Sequence, residues 1–370
     1  MRVLNADGTG SDSAVIAALQ RAVELKDQYN IRVINLSLGR PVFESYAVDP
    51  LCQAVEQAWR AGIVVVVAAG NEGRNNSFGN SGYGTIASPG NDPLVITVGA
   101  MKTMRTADRL DDRIASYSSK GPTLVDHIVK PDLVAPGNRV ISLSDPIGGS
   151  KRQNPLNLVP LSYYTVVRAA AASPSYVRLS GTSMAAPVVS GAAALLLQKT
   201  PWLTPDQVKA RLMKTAGKVF PATSTVVDAA TGQVYTSQYD IFTIGAGYVD
   251  ILAALNDTDV ATGVAASPVA VNDQASGVVY LDFGDSSVWG RSAVWGSSAV
   301  WGSSVFAGGA RAVWGSSAVW GNASSEGYSA IWGDSAIWEN SAIWGDSAVW
   351  GSLTSSVTPP DSNVSIQGEN

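Results

Sequence analysis

"IVVVVAAG", residues 63–70, runs five β-branched residues into two alanines and a glycine. A strand with one wet face alternates apolar and polar residues, and this one does not. It is therefore expected to be buried on both faces, as in a parallel sheet covered by helices. "RVINLSLG" (32–39) and "LVITVGA" (94–100) have the same character. Between the first two lies "DPLCQAVEQAWRAG" (49–62), which reads as a crossover helix. Asp49 can cap it, Pro50 suits its first turn and Gly62 can end it. "TPDQVKARLMKTAG" (204–217) repeats the device, with Thr204 and Gln207 at capping-box spacing. Residues 11–27 give a third amphipathic helix, and "MRVLNA" at the start reads as a short strand. The expected class is α/β, with a doubly wound, mostly parallel sheet over residues 1–255.

The bulk numbers fit that reading. The chain has 370 residues, 46% of them hydrophobic, enough for one large domain and an appendage. A formal net charge of −5 argues against nucleic acid or an anionic membrane as the main partner. The single cysteine, Cys52, excludes an internal disulfide framework. No stretch approaches the roughly 20 apolar residues of a membrane span. "MRVLNADGTG" lacks the charged, apolar and small-residue order of a signal peptide.

Composition changes abruptly after residue 255. From 256 to 370 there is no lysine, serine, glycine and alanine dominate, and nine of the eleven tryptophans occur. Within blocks between about residues 286 and 352 they recur every six residues, as "SAVWGS" or "SAIWGD". An even period places all the rings on one side of an extended chain. A partly ordered β-rich repeat and a low-complexity tail both fit this pattern.

In "GTSMAAPVVSGAAALLLQ" (181–198), Ser183 sits where a glycine turn opens a helix of small residues. Unpaired N–H groups and the positive dipole end gather there and can stabilise an oxyanion. Serine is also an ordinary helix N-cap, so the spacing alone leaves both roles open.

Neighbouring segments narrow the choice. "GTSMAAP" (181–187) resembles the serine motif of the subtilisin-like serine proteases, the subtilases. "VVAAGNEG" (66–73) is similar to that family's oxyanion segment, and "VINLSLG" (33–39) to its substrate-binding strand. "SPGNDPLVITVGA", "SYSSKGP" and "KPDLVAPG" follow in the family's order, with a longer connection than usual between Val140 and Arg178. The resemblance implies a serine-type endopeptidase acting on polypeptides, with roles already worked out for subtilisin. Ser183 would be the nucleophile and Asn71 the side-chain oxyanion donor. Ser37, Leu38 and Gly39, with Ala68, Ala69 and Gly70, would hold an extended substrate by strand addition and leave an open pocket for a large apolar residue.

The family's acid and base motifs, D-[ST]-G-like and H-G-T-H-like, do not occur in these 370 residues. The resemblance places both, and the early strands, before Met1, so the chain alone is expected to be inactive. Asp7 in "NADG" reads as turn chemistry. His127, the one histidine, reads as a solvated loop residue beside Asp126 rather than a base. The alternative is a non-catalytic surface or interaction protein, or a structural repeat protein, acting through the tryptophan repeats on glycans or cell surfaces. No cofactor is required. Calcium as a structural ion is what the family allows, with "SPGNDP" (88–93) resembling a cation loop, though a bare Asn-Asp-Pro turn is the preferred reading and no metal residue is assigned. Extracellular or cell-surface location follows from the family.

Overall fold

The computed structural model describes residues 1–5, 9–76, 80–143, 157–165, 172–229, 231–273, 278–283, 311–313 and 369. Asp7 and all nine repeat tryptophans lie outside the described residues.

The β-branched run forms β2, Val64–Ala68, with all five residues buried. It pairs in parallel with β1, Val33–Leu36, and with β3, Ile96–Lys102. β3 in turn takes β5, Leu133–Pro136, in parallel and the two-residue β4, Arg113–Ile114, in antiparallel sense. All seven residues of β3 are buried as well. Successive side chains point to opposite faces, so complete burial means both faces are covered.

The helices begin where their capping residues stand. α1, Asp12–Glu24, is capped by Ser11; α2 is the single turn Lys26–Tyr29. α3, Pro50–Arg60, is capped by Asp49, has Pro50 in its first turn, and packs on α1 and β2. α4, Thr182–Lys199, lies across β1, β2, β3 and β5. Its alanines let it approach closely: Ala185, Ala186, Ala192 and Ala193 are all buried. α5, Pro205–Thr215, carries the complete Thr204–Gln207 capping box. It and α7, Ile251–Asn256, pack against α4. α6 is the short turn Ile241–Ile244, capped by Asp240. Two antiparallel groups complete the described residues near the core: β6, Val140–Leu143, β7, Leu158–Pro160, and β8, Ala172–Leu179; then β9, Thr223–Val227, with β10, Val234–Gln238. β11, Val269–Asp273, β12, Val278–Asp282, and β13, Arg311–Val313, form a third.

Two sequence readings change here. The opening residues 1–5 form no strand, because a strand needs a ladder partner and β1 pairs only with β2 among the described residues. Packing also continues past the composition change at residue 256. Ala265, Ala270, Leu281 and Phe283 join the main core. Ser267 donates to Asp132 at 2.5 Å, and Lys209 donates to Ser267 at 2.9 Å.

That contact belongs to a buried charge cluster beneath the sheet. Lys130 and Lys209 approach opposite oxygens of Asp132 at 2.7 and 3.1 Å, and none of the three side chains has exposed surface. Burial alone would push the Asp132 carboxyl up, but the two lysines outweigh it and hold the group below the usual carboxylate range.

Candidate active site

The turn into α4 positions Ser183. Gly181 has φ +146°, a conformation that L side chains rarely adopt. Thr182 is the first helical residue and Ser183 the second. Four residues on, Pro187 lies inside the helix and has no N–H to give to the Ser183 carbonyl. That orphaned carbonyl accepts from Ser37 Oγ at 2.7 Å instead. Ser183 Oγ donates back to the Ser37 carbonyl at 3.2 Å. Asn35 steadies the exchange, donating to Ser37 Oγ at 2.8 Å and accepting from Ser190 Oγ at 2.9 Å. The end of β1 and the start of α4 are thereby locked together.

Asn71 is held from the other side. Its Oδ1 accepts from the Thr182 N–H at 2.9 Å and from the Thr182 hydroxyl at 3.1 Å. The same hydroxyl accepts from the Gly70 N–H at 3.1 Å. With Oδ1 committed to acceptance, the Asn71 amide nitrogen is left as a donor. It lies 3.3 Å from where a Cβ on Gly181 would stand. Neither this nitrogen nor the Ser183 N–H bonds an acceptor among the described residues. Two oriented donors thus flank a hydroxyl at a helix N-terminus, an arrangement that stabilises an oxygen gaining negative charge.

The residues expected to hold a peptide converge on one slot. Gly39 is exposed, Ser37, Leu38 and Gly70 are half-buried, and Ala68 and Ala69 are buried. Ala87, which the sequence reading did not single out, stands between the two segments. Cβ atoms built on Gly39 and Gly70 would lie 3.0 and 3.3 Å from its methyl group. Backbone bonds fix it: Ala87 N–H donates to Ala69 O at 2.9 Å, while Arg40 and Ser88 exchange N–H···O bonds at 3.0 and 2.9 Å. Ser119 braces the far side, donating its N–H to Gly70 O at 3.0 Å and accepting from Glu72 N–H at 3.1 Å.

Asp49 does more than cap α3. One oxygen accepts from Leu51 N–H at 2.9 Å and pairs with Arg40 at 2.8 Å; the other accepts from Ser88 Oγ at 2.7 Å. Arg40 also pairs with Asp12 of α1 at 2.6 Å.

His127 is buried rather than solvated, at φ +53°. Burial outweighs the nearby Asp126 charge and holds the imidazole down at about 4, so it is neutral near pH 7. The Asp126 carboxylate is turned to Ser45 Oγ and Tyr46 N–H, at 2.6 and 2.9 Å. In the loop 88–93 the side chains mostly serve the fold itself, and Asp92 Oδ2 is buried without a partner among the described residues. Asp92 Oδ1 caps the Leu94 and Val95 N–H groups at 2.9 and 3.4 Å. Burial first, and then the Glu56 charge, push the Asp92 carboxyl up to about 7. Asn91 directs its Oδ1 to Cys52 and leaves a donor nitrogen unpaired. Among the described residues no three His, Cys, Asp or Glu side chains gather as a metal site. No described helix is long and apolar enough to cross a membrane.

Comparison with known proteins gives the family similarity. Residues 1–245 match the family model described as Peptidase_S8, Subtilase family. Serine protease AprX of Bacillus subtilis (strain 168) is 40% identical over 214 residues, covering 56% of this chain and 44% of that protein. The extracellular serine proteinase of Thermus sp. (strain Rt41A) is 35% identical over 229 residues, covering 60% of this chain and 43% of that one. This chain therefore spans less than half the length of either relative. The crystal structure of fervidolysin from Fervidobacterium pennivorans, described as a keratinolytic enzyme related to subtilisin, aligns with TM-score 0.47 and 24% identity. It covers 72% of this chain and 31% of that one.

Proposed function

This chain belongs to the subtilase family, and on that premise we propose that it carries the nucleophile and oxyanion half of a serine endopeptidase site. With a base from outside these residues taking the hydroxyl proton and passing it to the departing amine, Ser183 Oγ would attack the scissile carbonyl of a polypeptide, the C–N bond would break and the acyl-enzyme would remain. The oxygen that gains charge is received by the Asn71 amide and the Ser183 N–H. One observation carries the reading above the others: Thr182 satisfies Asn71 Oδ1 twice, which leaves the amide nitrogen free to donate beside the nucleophile.

The substrate enters as an extended strand between residues 37–39 and 68–70. Main-chain groups supply affinity there, and the slot over Ala87 selects the side chain. The Ala87 methyl, close to both Gly39 and Gly70, gives that surface an apolar character that favours an apolar residue. The extracellular relative supports action outside the cell or at its surface.

What Ser183 lacks within these residues is a base. Its hydroxyl faces a main-chain carbonyl, and the one histidine is buried and neutral in another loop. A neutral alcohol with no proton acceptor is a poor nucleophile, so the 370 residues by themselves are expected to be silent. The test is turnover of a chromogenic peptide with a large apolar residue before the scissile bond. It compares this chain, a chain extended through any in-frame upstream codons bearing D-[ST]-G and H-G-T-H, and Ser183→Ala in each. Turnover should occur in the extended chain alone and vanish with Ser183→Ala. Turnover by the 370 residues that Ser183→Ala abolishes would refute the missing base; turnover that survives it would refute the nucleophile.

A further inference from the structure

Arg74, three residues beyond Asn71, is buried with 3% of its side chain exposed. It serves three groups: Nε donates to Ser116 Oγ at 2.6 Å, Nη1 pairs with Asp228 at 2.8 Å and Nη2 pairs with Glu369 at 3.0 Å. Its guanidinium lies 4.4 Å from the centre of the Tyr235 ring. Glu369 comes from 295 residues away in sequence, and its side chain is 1% exposed. Its Oε1 also accepts from the Ser116 N–H at 2.9 Å and from the Ser116 hydroxyl.

The main chain of Glu369 is read separately. Its N–H donates to Asn138 Oδ1 at 2.9 Å, and its carbonyl accepts from Asn138 Nδ2 at 3.0 Å. One amide side chain thus clamps both main-chain groups of a single residue, a contact that any non-proline residue in an extended peptide can make. The carboxylate pocket beside it adds selectivity. Arg74 supplies a fixed positive charge and two Ser116 donors join it, all on Oε1, while Oε2 is buried without a hydrogen-bond partner among the described residues. Lys102, mostly buried, adds a second positive charge near the Glu369 carboxylate.

We propose that Arg74, Ser116 and Asn138 form a docking site for one acidic residue of an extended polypeptide, and that Glu369 of this chain is its occupant. The site latches Glu369 onto the peptidase unit. It does so close to the reaction centre: Gly137, next to Asn138, accepts the Gly181 N–H at 2.9 Å, and the Arg139 N–H donates to Ser180 Oγ at 2.8 Å. The assignment uses neither Ser183 chemistry nor any base, so it stands or falls apart from the peptidase reading.

The probe is a fluorescent peptide of residues 365–370, SIQGEN, titrated by anisotropy into the full-length chain. Glu369→Ala should bind it saturably. The wild-type chain, whose own Glu369 competes, should bind at least about tenfold more weakly, and so should Glu369→Ala when the peptide glutamate is replaced by glutamine. Adding Asn138→Leu to Glu369→Ala should abolish binding. Absence of saturable binding, or equal binding of the acid and amide peptides, overturns the proposal. Amide hydrogen exchange of the unaltered chain gives a reading that needs no variant. The Glu369 and Ser116 N–H groups should both be protected, and exchange of the Glu369 amide at the free-peptide rate overturns the latch.

Discussion

Thr182 offers the sharpest test of how the site is held. Thr182→Val keeps the shape of a side chain with no exposed surface and removes only the hydroxyl. Two bonds go with it, one to Asn71 Oδ1 and one from Gly70 N–H, both at 3.1 Å. Each is worth about 1 kcal/mol net, and a half-buried Gly70 N–H left without a partner adds about 1 kcal/mol or more. The expected loss is thus about 2–4 kcal/mol. Thr182→Ser is the control, because it keeps the hydroxyl and gives up one buried methyl, about 1 kcal/mol. The assay is urea unfolding of both variants, read at the midpoint with the slope unchanged. Serine should retain most of the stability and valine should not. A valine variant as stable as serine, or more so, would show that methyl packing rather than the hydroxyl bridge holds Asn71 in place.

Three further outcomes follow from the same geometry. Gly70→Ala places a methyl group 2.7 Å from Ser119 Oγ at φ +110° and should cost about 1–3 kcal/mol in strain, measured by urea unfolding; a neutral result would show that the 70–71 turn relaxes freely. Asp132→Asn leaves the Lys130 and Lys209 ammonium groups buried without their counter-charge and should cost about 3–5 kcal/mol, whereas Lys209→Met, which leaves the Lys130–Asp132 pair intact, should cost clearly less in the same assay. Stability should also rise with pH on the alkaline side of neutrality. Burial holds Lys209 and Lys218 down at about 7 and Lys120 at about 8. From there to the unfolded lysine pKa near ~10.4, the unfolded chain binds protons that the native chain does not, so the slope with pH is positive. Near pH ~10 the buried phenols of Tyr117 and Tyr248, held above their usual range, begin to reverse it. Urea midpoints that stay flat or fall between about pH 7.5 and 9.5 would contradict the buried-lysine account.

Local chemistry was legible in the residues and long-range chemistry was not. Asp49, Pro50 and the Thr204–Gln207 pair declare their helix ends because a cap acts within one turn. β2 declares its burial because five β-branched residues in a row leave no wet face. The proposed nucleophile and oxyanion donor were readable only through the segments around them. Thr182, Asn35, Ala87 and Ser119 escaped, since each works through a partner brought close by the fold and none carries a distinctive local pattern. Thr182 was visible as part of the serine motif, but nothing in "GTS" says that its hydroxyl bridges to Asn71. The burial of His127 was illegible for the same reason. Its segment carries apolar neighbours, Leu124, Val125, Ile128 and Val129, but what covers it comes from far along the chain and includes β11, whose Ala270 N–H bonds the His127 carbonyl at 2.8 Å. The strand expected over 1–6 marks the opposite failure: a β-prone run is no strand without a neighbour to pair with.

The Asp49 carboxylate would act as a gauge for the proposed substrate slot. It grips Arg40, beside Gly39 on one wall, and Ser88, beside the Ala87 floor, while it is itself anchored in the first turn of α3. The spacing of wall and floor would then be set from α3, which carries none of the proposed slot residues. A small rotation of α3 would shift wall and floor together, so on the proposed reading repacking Val55 or Trp59 on the α3 face buried in the core would retune selectivity with every slot-lining residue left as it is.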